Sequence, residues 1–115
     1  MNDITGGDVR RIASVIRLKP EKREEYLHLH ADPWPGVLDR LRACNIANYS
    51  IFLHGDLLFS YFEYRGSDFE ADMALMAQDP VTQEWWKLTD PCQERLPGTP
   101  EGRQWTEIPS VFHMD

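Results

Sequence analysis

Residues 48–64, NYSIFLHGDLLFSYFEY, determine the predicted fold because they contain two extended runs around one turn. The runs 48–53 and 57–64 are rich in aromatic and β-branched residues, which are typical of strands. Between them lies His54-Gly55-Asp56, where the glycine can adopt the backbone conformation of a tight hairpin turn. The stretch therefore predicts two paired antiparallel strands.

A third strand is predicted upstream, over residues 10–18, RRIASVIRL. Its residues alternate between two faces, and one face carries Ile12, Ser14, Ile16 and Leu18. This period of two is typical of a strand with one buried side. We therefore expect the strand to contribute that face to a core.

The next segment is predicted to be a helix, because Pro20 favours a first helical turn and acidic residues follow it. Inward residues then recur at intervals of three and four, the period of a buried helix face. Pro33 and Pro35 remove backbone donors, so the helix must kink or restart between them. The predicted inward stripe consists of Tyr26, His30, Pro33 or Trp34, Val37 or Leu38, and Leu41.

Two more helical segments are predicted in the second half of the chain. Ser67 followed three residues later by Glu70 is a capping box, in which Ser67 would cap the first of these helices. Asp79-Pro80 repeats the signal of a cap followed by a proline. The second helical piece is therefore predicted over residues 81–88.

The remaining residues predict a turn-rich loop, 91–104, and a last strand, 108–114. The order strand, helix, strand, strand, helix, strand is the α+β, ferredoxin-like βαββαβ arrangement, with helices on one face of an antiparallel sheet. The other face keeps apolar and aromatic residues, so we expect a homodimer that stacks two sheets. We expect residues 10–115 to form a single domain after a flexible leader, residues 1–9.

The composition argues against several classes of protein. A net charge of -7 repels phosphate backbones, so nucleic acid is not an expected partner. No apolar run reaches the roughly 20 residues of a membrane helix, and the first residues lack the pattern of a signal peptide. We therefore expect a cytoplasmic protein without membrane contact. Cys44 and Cys92 form no CxxC pair, so we interpret both as ordinary thiols and expect no metal site.

The helical stripe around His30 carries the candidate chemistry. Tyr26 and His30 are four residues apart, and Trp34 would follow one turn later, so their polar tips converge if the helix continues. Aromatic rings with a few hydrogen-bonding tips suit a small polyol, because sugars offer C–H faces for stacking and hydroxyl groups for directed bonds. Adjacent tryptophans cannot point the same way on a helix, so Trp85 and Trp86 are expected to give one core ring and one rim ring.

Taken together, these motifs resemble the L-rhamnose mutarotase family over residues 10–114. The most specific are the spacing Tyr-x-x-x-His-x-x-x-Trp-Pro, which begins at Tyr26, the Asn48-Tyr49 pair and the Trp85-Trp86 pair. Each motif is short, and the resemblance depends on finding all three in this order.

The resemblance implies a dimeric α/β barrel of ferredoxin-like fold that interconverts the α and β anomers of a 6-deoxy-hexose. The reaction would be acid/base ring opening and closing without a cofactor, with L-rhamnose as the first choice of monosaccharide. The loop after the tryptophans differs from that of the rhamnose enzymes, which leaves L-fucose as the alternative sugar. The resemblance implies that His30 is the proton donor, and we interpret Trp34 as part of the pocket wall. The positions implied to contact substrate are Tyr26, Tyr49, Trp85 and Trp86.

Two other functions stay open on the residues alone. A dimeric ferredoxin-like oxygenase also uses histidine, tryptophan and asparagine in a cleft, and it would consume oxygen with a quinol or bind haem. A non-enzymatic dimer would bind a small ligand such as a sugar without accelerating anomer exchange. We favour the mutarotase, because an oxygenase explains neither the paired tryptophans nor the spacing of Tyr26, His30 and Trp34.

Overall fold

A computed structural model describes residues 9–115, which form five strands and four α-helices joined by short turns. The predicted leader, residues 1–9, lies outside the described residues except for Val9. The elements in chain order are β1 (Arg10–Leu18), a 3-10 turn (Pro20–Lys22), α1 (Arg23–Ala31), α2 (Pro35–Ala43), β2 (Ile46–His54), β3 (Leu57–Tyr64), α3 (Phe69–Gln78), α4 (Pro80–Thr89), a second 3-10 turn (Asp90–Cys92), β4 (Gln93–Glu94) and β5 (Thr106–Ile108).

The sheet is antiparallel throughout, with the order β2-β3-β1-β4. The strand β1 pairs with β3 along one edge, and its other edge pairs with β4 at Arg17 and Leu18 and with β5 at residues 13–15. The hairpin β2–β3 turns at Gly55, whose φ of 59° is a left-handed value that favours glycine. This order confirms the predicted α+β, ferredoxin-like arrangement.

The predicted inner face of β1 forms the centre of the core. Its residues Ile12, Ser14, Ile16 and Leu18 are all buried, as the alternation predicts. Two clusters fill the space between this face of the sheet and the helices. The first cluster contains Ile16, Leu18, Tyr26, Leu58 and Cys92, and the second contains Cys44, Ile46, Tyr64 and Met76.

The first predicted helix is two helices, because the prolines interrupt it as expected. The helix α1 ends at Ala31, and α2 restarts with Pro35 at its first position after the extended residue Trp34. Each helix buries one residue of the predicted stripe, Tyr26 in α1 and Val37 in α2.

The cap of α3 is Asp68, and the prediction of Ser67 is wrong. The Asp68 side chain accepts a hydrogen bond from the backbone N–H of Ala71 at 3.1 Å. The Tyr64 hydroxyl accepts the backbone N–H of Asp68 at 3.0 Å, which fixes where the helix begins. The neighbouring helix α4 starts as predicted, because Asp79 caps it by accepting the backbone N–H of Thr82 at 2.9 Å.

Two predictions for the C-terminal third are wrong. The predicted loop 91–104 contains the short strand β4, which extends the sheet at Arg17 and Leu18. The last strand covers Thr106–Ile108, and residues 109–115 contain no strand. Pro109 has no backbone donor and directly follows the paired residues, so the ladder ends there.

We expect Gly66→Ala to lower the free energy of unfolding by about 1–3 kcal/mol, because an added methyl group overpacks a filled site. A Cβ atom on Gly66 would lie 2.6 Å from Cζ of Tyr64 and 2.7 Å from Oδ2 of Asp72. Urea denaturation followed by far-UV circular dichroism measures the change. The exposed neighbour Ser67 provides the control, since Ser67→Ala should change stability by less than about 0.5 kcal/mol. Equal stabilities of the two variants would contradict this packing.

None of the helices in residues 9–115 combines the length and the hydropathy needed to cross a lipid bilayer.

Candidate active site

The His30 imidazole lies between two aromatic rings that come from different helices. It stacks on Tyr26, one turn earlier in α1, with ring centroids 4.1 Å apart and planes 26° apart. Its other neighbour is Trp85 of α4, which it meets edge-on at 5.3 Å. Tyr26 is only 2% exposed, whereas His30 is half-buried, so the imidazole is both held in place and accessible.

The hydrogen bond of His30 determines which ring nitrogen is available. Nδ1 lies 2.8 Å from the backbone carbonyl oxygen of Tyr26, and a carbonyl oxygen can only accept. Nδ1 therefore carries the hydrogen, and in the neutral ring Nε2 keeps a lone pair. Burial lowers the pKa of His30 below its usual 6.5, and the bond to Tyr26 opposes this shift only in part. Near neutral pH the imidazole is a base.

A cavity of about 450 Å³ opens next to this group, between the helices and the inner face of the sheet. Its volume falls within the range of pockets that hold small molecules. Of the predicted site residues, Tyr49, Trp85 and Trp86 line it, whereas Tyr26, His30 and Trp34 do not. Trp85 connects the two groups, because one indole contacts the cavity, His30 and Trp34.

Trp85 and Trp86 differ in burial, as expected for neighbours on a helix. Trp85 is 6% exposed and packs edge-on against Trp34 at 5.2 Å. Trp86 is 37% exposed and lies at the rim of the cavity. Trp85 is thus the core ring and Trp86 the rim ring.

Tyr49 lies on the inner face of β2, next to a bulge. Ala47 pairs with Glu63 and Ser50 with Tyr61, so Asn48 and Tyr49 together lie opposite one residue of β3. Asn48 has a φ of 50°, which asparagine tolerates better than most residues. Tyr49 alternates with Ile51 and Leu53, which pack against the core, and the extra residue lets the buried Ile46 face the same side. The Tyr49 ring packs on Phe62 at 5.5 Å. Tyr49 as a whole is 43% exposed, but desolvation of its hydroxyl group raises its pKa, so the phenol stays protonated and can donate a hydrogen bond.

The cavity also has walls that the sequence reasoning missed. Asp90 directly follows α4 and lines the cavity, and partial desolvation raises the pKa of its carboxyl group although the residue is exposed. Gln104 and Trp105 come from the segment before β5. An isolated tryptophan in an otherwise polar loop was the one signal that could have marked this segment. The position of Trp105 over the cavity depends on the path by which the chain returns to pair with β1.

The opposite wall is apolar and comes from α2, α3 and two strands. No group of three or more His, Cys, Asp or Glu side chains within residues 9–115 is arranged to hold a metal ion. The site therefore offers aromatic faces, one neutral imidazole and a few polar groups, a set suited to proton transfer on a small hydroxylated molecule. The apolar wall consists of Val37, Leu41, Ile46, Phe62, Met73 and Met76.

Comparison with known proteins identifies the family. A model of the family described as L-rhamnose mutarotase matches residues 11–114. The L-rhamnose mutarotase of Listeria monocytogenes is 36% identical over 91 residues, covering 77% of this chain and 85% of that protein. That of Oceanobacillus iheyensis is 30% identical over 109 residues, covering 93% of this chain and all of that protein.

Solved structures support the same fold. An L-rhamnose mutarotase from Formosa agariphila superposes with a TM-score of 0.70 at 21% identity, covering 92% of this chain and 99% of that one. Tetracenomycin F2 cyclase from Streptomyces glaucescens, a polyketide cyclase, superposes with a TM-score of 0.66 at 16% identity, covering 92% and 97% of the two chains. At these identities the structures establish the fold, and the sequence matches establish the family. The chain belongs to the L-rhamnose mutarotase family.

Proposed function

We propose that this protein interconverts the α and β anomers of L-rhamnose, with His30 as the acid/base group. The observation that carries the proposal is the position of His30: Nδ1 is hydrogen-bonded to a backbone carbonyl oxygen, the ring meets Trp85 edge-on, and Nε2 makes no hydrogen bond within residues 9–115. Family membership supports the same reaction. It does not favour the oxygenase or the non-enzymatic sugar binder.

The reaction needs one proton moved between two oxygens of the sugar. Nε2 of neutral His30 accepts the proton of the anomeric hydroxyl group, and the protonated imidazole returns it to the ring oxygen as the bond from C1 to that oxygen breaks. The open-chain aldehyde then rotates about the bond between C1 and C2. Ring closure reverses the proton transfers and gives the other anomer. Nothing is oxidised or hydrolysed, and one positioned imidazole is sufficient.

The cavity walls support a 6-deoxy-hexose as the substrate. The sugar ring would lie in the cavity and reach Nε2 of His30 past the edge of Trp85. Its methyl group and C–H faces would pack on the apolar wall and the indoles, and its hydroxyl groups would face Tyr49 and the polar residues.

The test is anomer exchange above the spontaneous rate, measured by NMR saturation transfer on L-rhamnose, L-fucose and D-galactose. We expect the largest acceleration for L-rhamnose. Acceleration only for L-fucose would assign the alternative substrate. Binding of L-rhamnose without acceleration would contradict the proposed reaction and favour a non-enzymatic binder.

The pH dependence should follow the neutral form of His30. Burial lowers its pKa, so the neutral imidazole persists below pH 6.5 and is lost only as the pH falls through the lowered value. We expect constant enzyme-dependent exchange from pH 8 to about 6.5 and a decline at lower pH. Saturation transfer at each pH, corrected for spontaneous exchange, measures the profile. Activity that rises toward low pH would show that the imidazolium is the active form.

We further propose that the protein is a homodimer that pairs the second faces of two sheets. This face carries Phe52, which is 62% exposed, Phe59, which is half-buried, and Val15, which is already buried within the subunit. The apolar residues of the C-terminal segment, Val111, Phe112 and Met114, are also exposed. Large exposed apolar groups that share one surface are typical of an interface.

We expect Phe52→Lys to shift the protein toward monomer, because a charge would be placed in the interface. Size-exclusion chromatography with light scattering measures the change in mass. The control is Leu75→Lys in α3, which lies on the helix side and is 52% exposed. An unchanged mass for Phe52→Lys would contradict the proposed interface.

We also infer that the protein is cytoplasmic and folds as one domain over residues 10–115. Both cysteines, Cys44 and Cys92, are free and buried, as is usual in a reducing compartment. Cell fractionation with antibodies against the protein tests the location.

A further inference from the structure

One loop between β4 and β5 contributes part of the cavity wall. This cavity loop, defined as residues 95–105, contributes Gly102, Gln104 and Trp105 to the cavity. Trp105 also packs against the first core cluster, so the C-terminal end of the loop is anchored. Gly102 has a φ of 81°, a value that favours glycine and lets the chain turn back toward the cavity.

Arg95 holds the loop in its conformation. Its guanidinium group donates from Nε to the backbone carbonyl of Arg103 at 2.8 Å. Nη2 donates to the carbonyls of Thr99 and Pro100, both at 3.0 Å. Hydrogen bonds from a charged donor are stronger than those between neutral groups. One side chain thus ties together three backbone positions within the loop.

A second set of bonds closes the loop onto the sheet. The Thr99 hydroxyl lies 2.6 Å from the hydroxyl of Thr106, the first residue of β5, and 2.6 Å from the carbonyl of Leu96. The loop is therefore ordered by its own residues. A binding wall that is ordered before the ligand arrives avoids the entropy cost of ordering it on binding.

Gln104 is the polar side chain that this loop presents to the cavity. Its Nε2 lies 3.4 Å from Oε1 of Gln93, and Nε2 of Gln93 lies 3.3 Å from the Tyr26 hydroxyl. Both hydrogen bonds are long, hence weak and easily exchanged for better ones. The Oε1 atom of Gln104 has no hydrogen-bond partner within residues 9–115. An amide with a free acceptor and a weakly held donor suits a hydroxyl group, which can both give and accept a hydrogen bond.

The position of Gln104 connects sugar binding to the proposed catalytic group. From Gln104 the contacts run through Gln93 to Tyr26, on which His30 stacks. A ligand with its methyl group on the apolar wall would turn its hydroxyl groups toward Gln104. L-Rhamnose and L-fucose differ only in the configuration of the hydroxyl groups at C2 and C4, so a hydroxyl ligand on this wall can distinguish them.

We propose that Gln104 binds a hydroxyl group of the sugar and contributes to the choice between 6-deoxy-hexoses, and that Arg95 is the positioning residue that presents it. The proposal rests on the proposed function, because the ligand is taken to be the sugar that His30 acts on. It gives the loop that follows the paired tryptophans a defined role.

The experiment measures KM and kcat for anomer exchange of L-rhamnose and L-fucose by saturation transfer over a range of sugar concentrations. For Gln104→Ala we expect KM for L-rhamnose to rise about 3- to 10-fold, the range of one neutral hydrogen bond. The kcat value should change less, and the preference between the two sugars should shift. Arg95→Ala should raise KM in the same way, and Arg95→Lys should bring KM only part of the way back to the wild-type value.

The double variant tests whether Arg95 acts through Gln104. If it does, Arg95→Ala adds little to KM once Gln104 is alanine, since the two residues act as one unit. Arg103→Ala is the control, because this exposed side chain makes no hydrogen bond within residues 9–115. Equal KM values and equal sugar preference in Gln104→Ala and wild type would overturn the proposal. Additive effects of the two substitutions would overturn the positioning role of Arg95.

Binding measured without turnover separates this proposal from the proposed function. Quenching of tryptophan fluorescence by L-rhamnose reports binding at the cavity, which contains three indoles. A wild-type protein that binds L-rhamnose without accelerating exchange would contradict the mutarotase function. Weaker binding of L-rhamnose by Gln104→Ala would in that case still support Gln104 as a sugar-binding residue. Equally strong binding of L-rhamnose by the wild type and by Gln104→Ala would overturn the sugar-binding role of Gln104, whatever the activity.

Discussion

Replacing His30 by alanine is expected to reduce enzyme-dependent anomer exchange of L-rhamnose by about 10²- to 10⁴-fold, the usual contribution of a positioned acid or base. The loss should be specific to catalysis, because His30 is half-buried at the edge of the core and the packed cluster under it does not contain it. Far-UV circular dichroism should therefore match the wild type. Saturation transfer on L-rhamnose measures the rate.

Two further variants make the result specific to proton transfer. His28→Ala removes an exposed imidazole from the same helix and should leave the exchange rate unchanged. His30→Asn keeps a side-chain donor that can reach the Tyr26 carbonyl but has no nitrogen that can accept a proton, so it should be as inactive as alanine. Exchange within about threefold of wild type in either His30 variant would contradict the assignment.

The central part of the fold can be predicted from the sequence because its signals are local and repeated. The alternation of residues over β1 predicts both the strand and its buried face, and the turn at Gly55 predicts the pairing of β2 with β3. Pro35 and Pro80 start helices in which their missing N–H groups need no partner. These features depend only on residues close together in the chain.

The errors lie where one particular side-chain contact, or a surface of the whole subunit, decides the structure and no repeated pattern marks it. Ser67 and Asp68 are both good caps, and the choice of Asp68 depends on the Tyr64 hydroxyl that accepts its N–H. The apolar residues after Pro109 have a strand-like composition, yet Val111 and Phe112 are 96% and 80% exposed. If this segment is buried by a second copy of the chain, as proposed, its composition reflects that interface and not a strand within the subunit.

The candidate site likewise has a part that local sequence patterns predict and a part that they do not. The spacing of Tyr26 and His30 within one helix predicts their contact, and the structure brings them together with Trp85. Tyr49 alternates with Ile51 and Leu53 on the inner face of β2, whereas Ile46 joins that cavity wall only because a bulge shifts the alternation by one residue. Asp90 and Gln104 reach the cavity through the path of a loop, which no local pattern encodes.

Although Trp85 and Trp86 are adjacent, we expect Trp85→Ala mainly to lower stability and Trp86→Ala mainly to weaken sugar binding. Trp85 is 6% exposed and supports Trp34 and His30, so its truncation leaves a cavity and should lower the free energy of unfolding by about 3–5 kcal/mol. Trp86 is 37% exposed at the rim, where we propose that its indole stacks on the sugar. Trp86→Ala should keep most of the stability and raise KM for L-rhamnose about tenfold, which corresponds to about 1.4 kcal/mol of binding.

Urea denaturation and saturation transfer on the same samples separate the two effects. Leu88→Ala is the matched control, because Leu88 lies on the same helix, is 39% exposed and does not line the cavity. It should resemble Trp86→Ala in stability and the wild type in KM. A KM change in Trp85→Ala alone, measured where that variant is folded, would place the sugar on Trp85 instead. Since Trp85 also holds His30, that result would further predict a loss of kcat, whereas stacking on Trp86 leaves kcat nearly unchanged because the rim indole does not contact the imidazole.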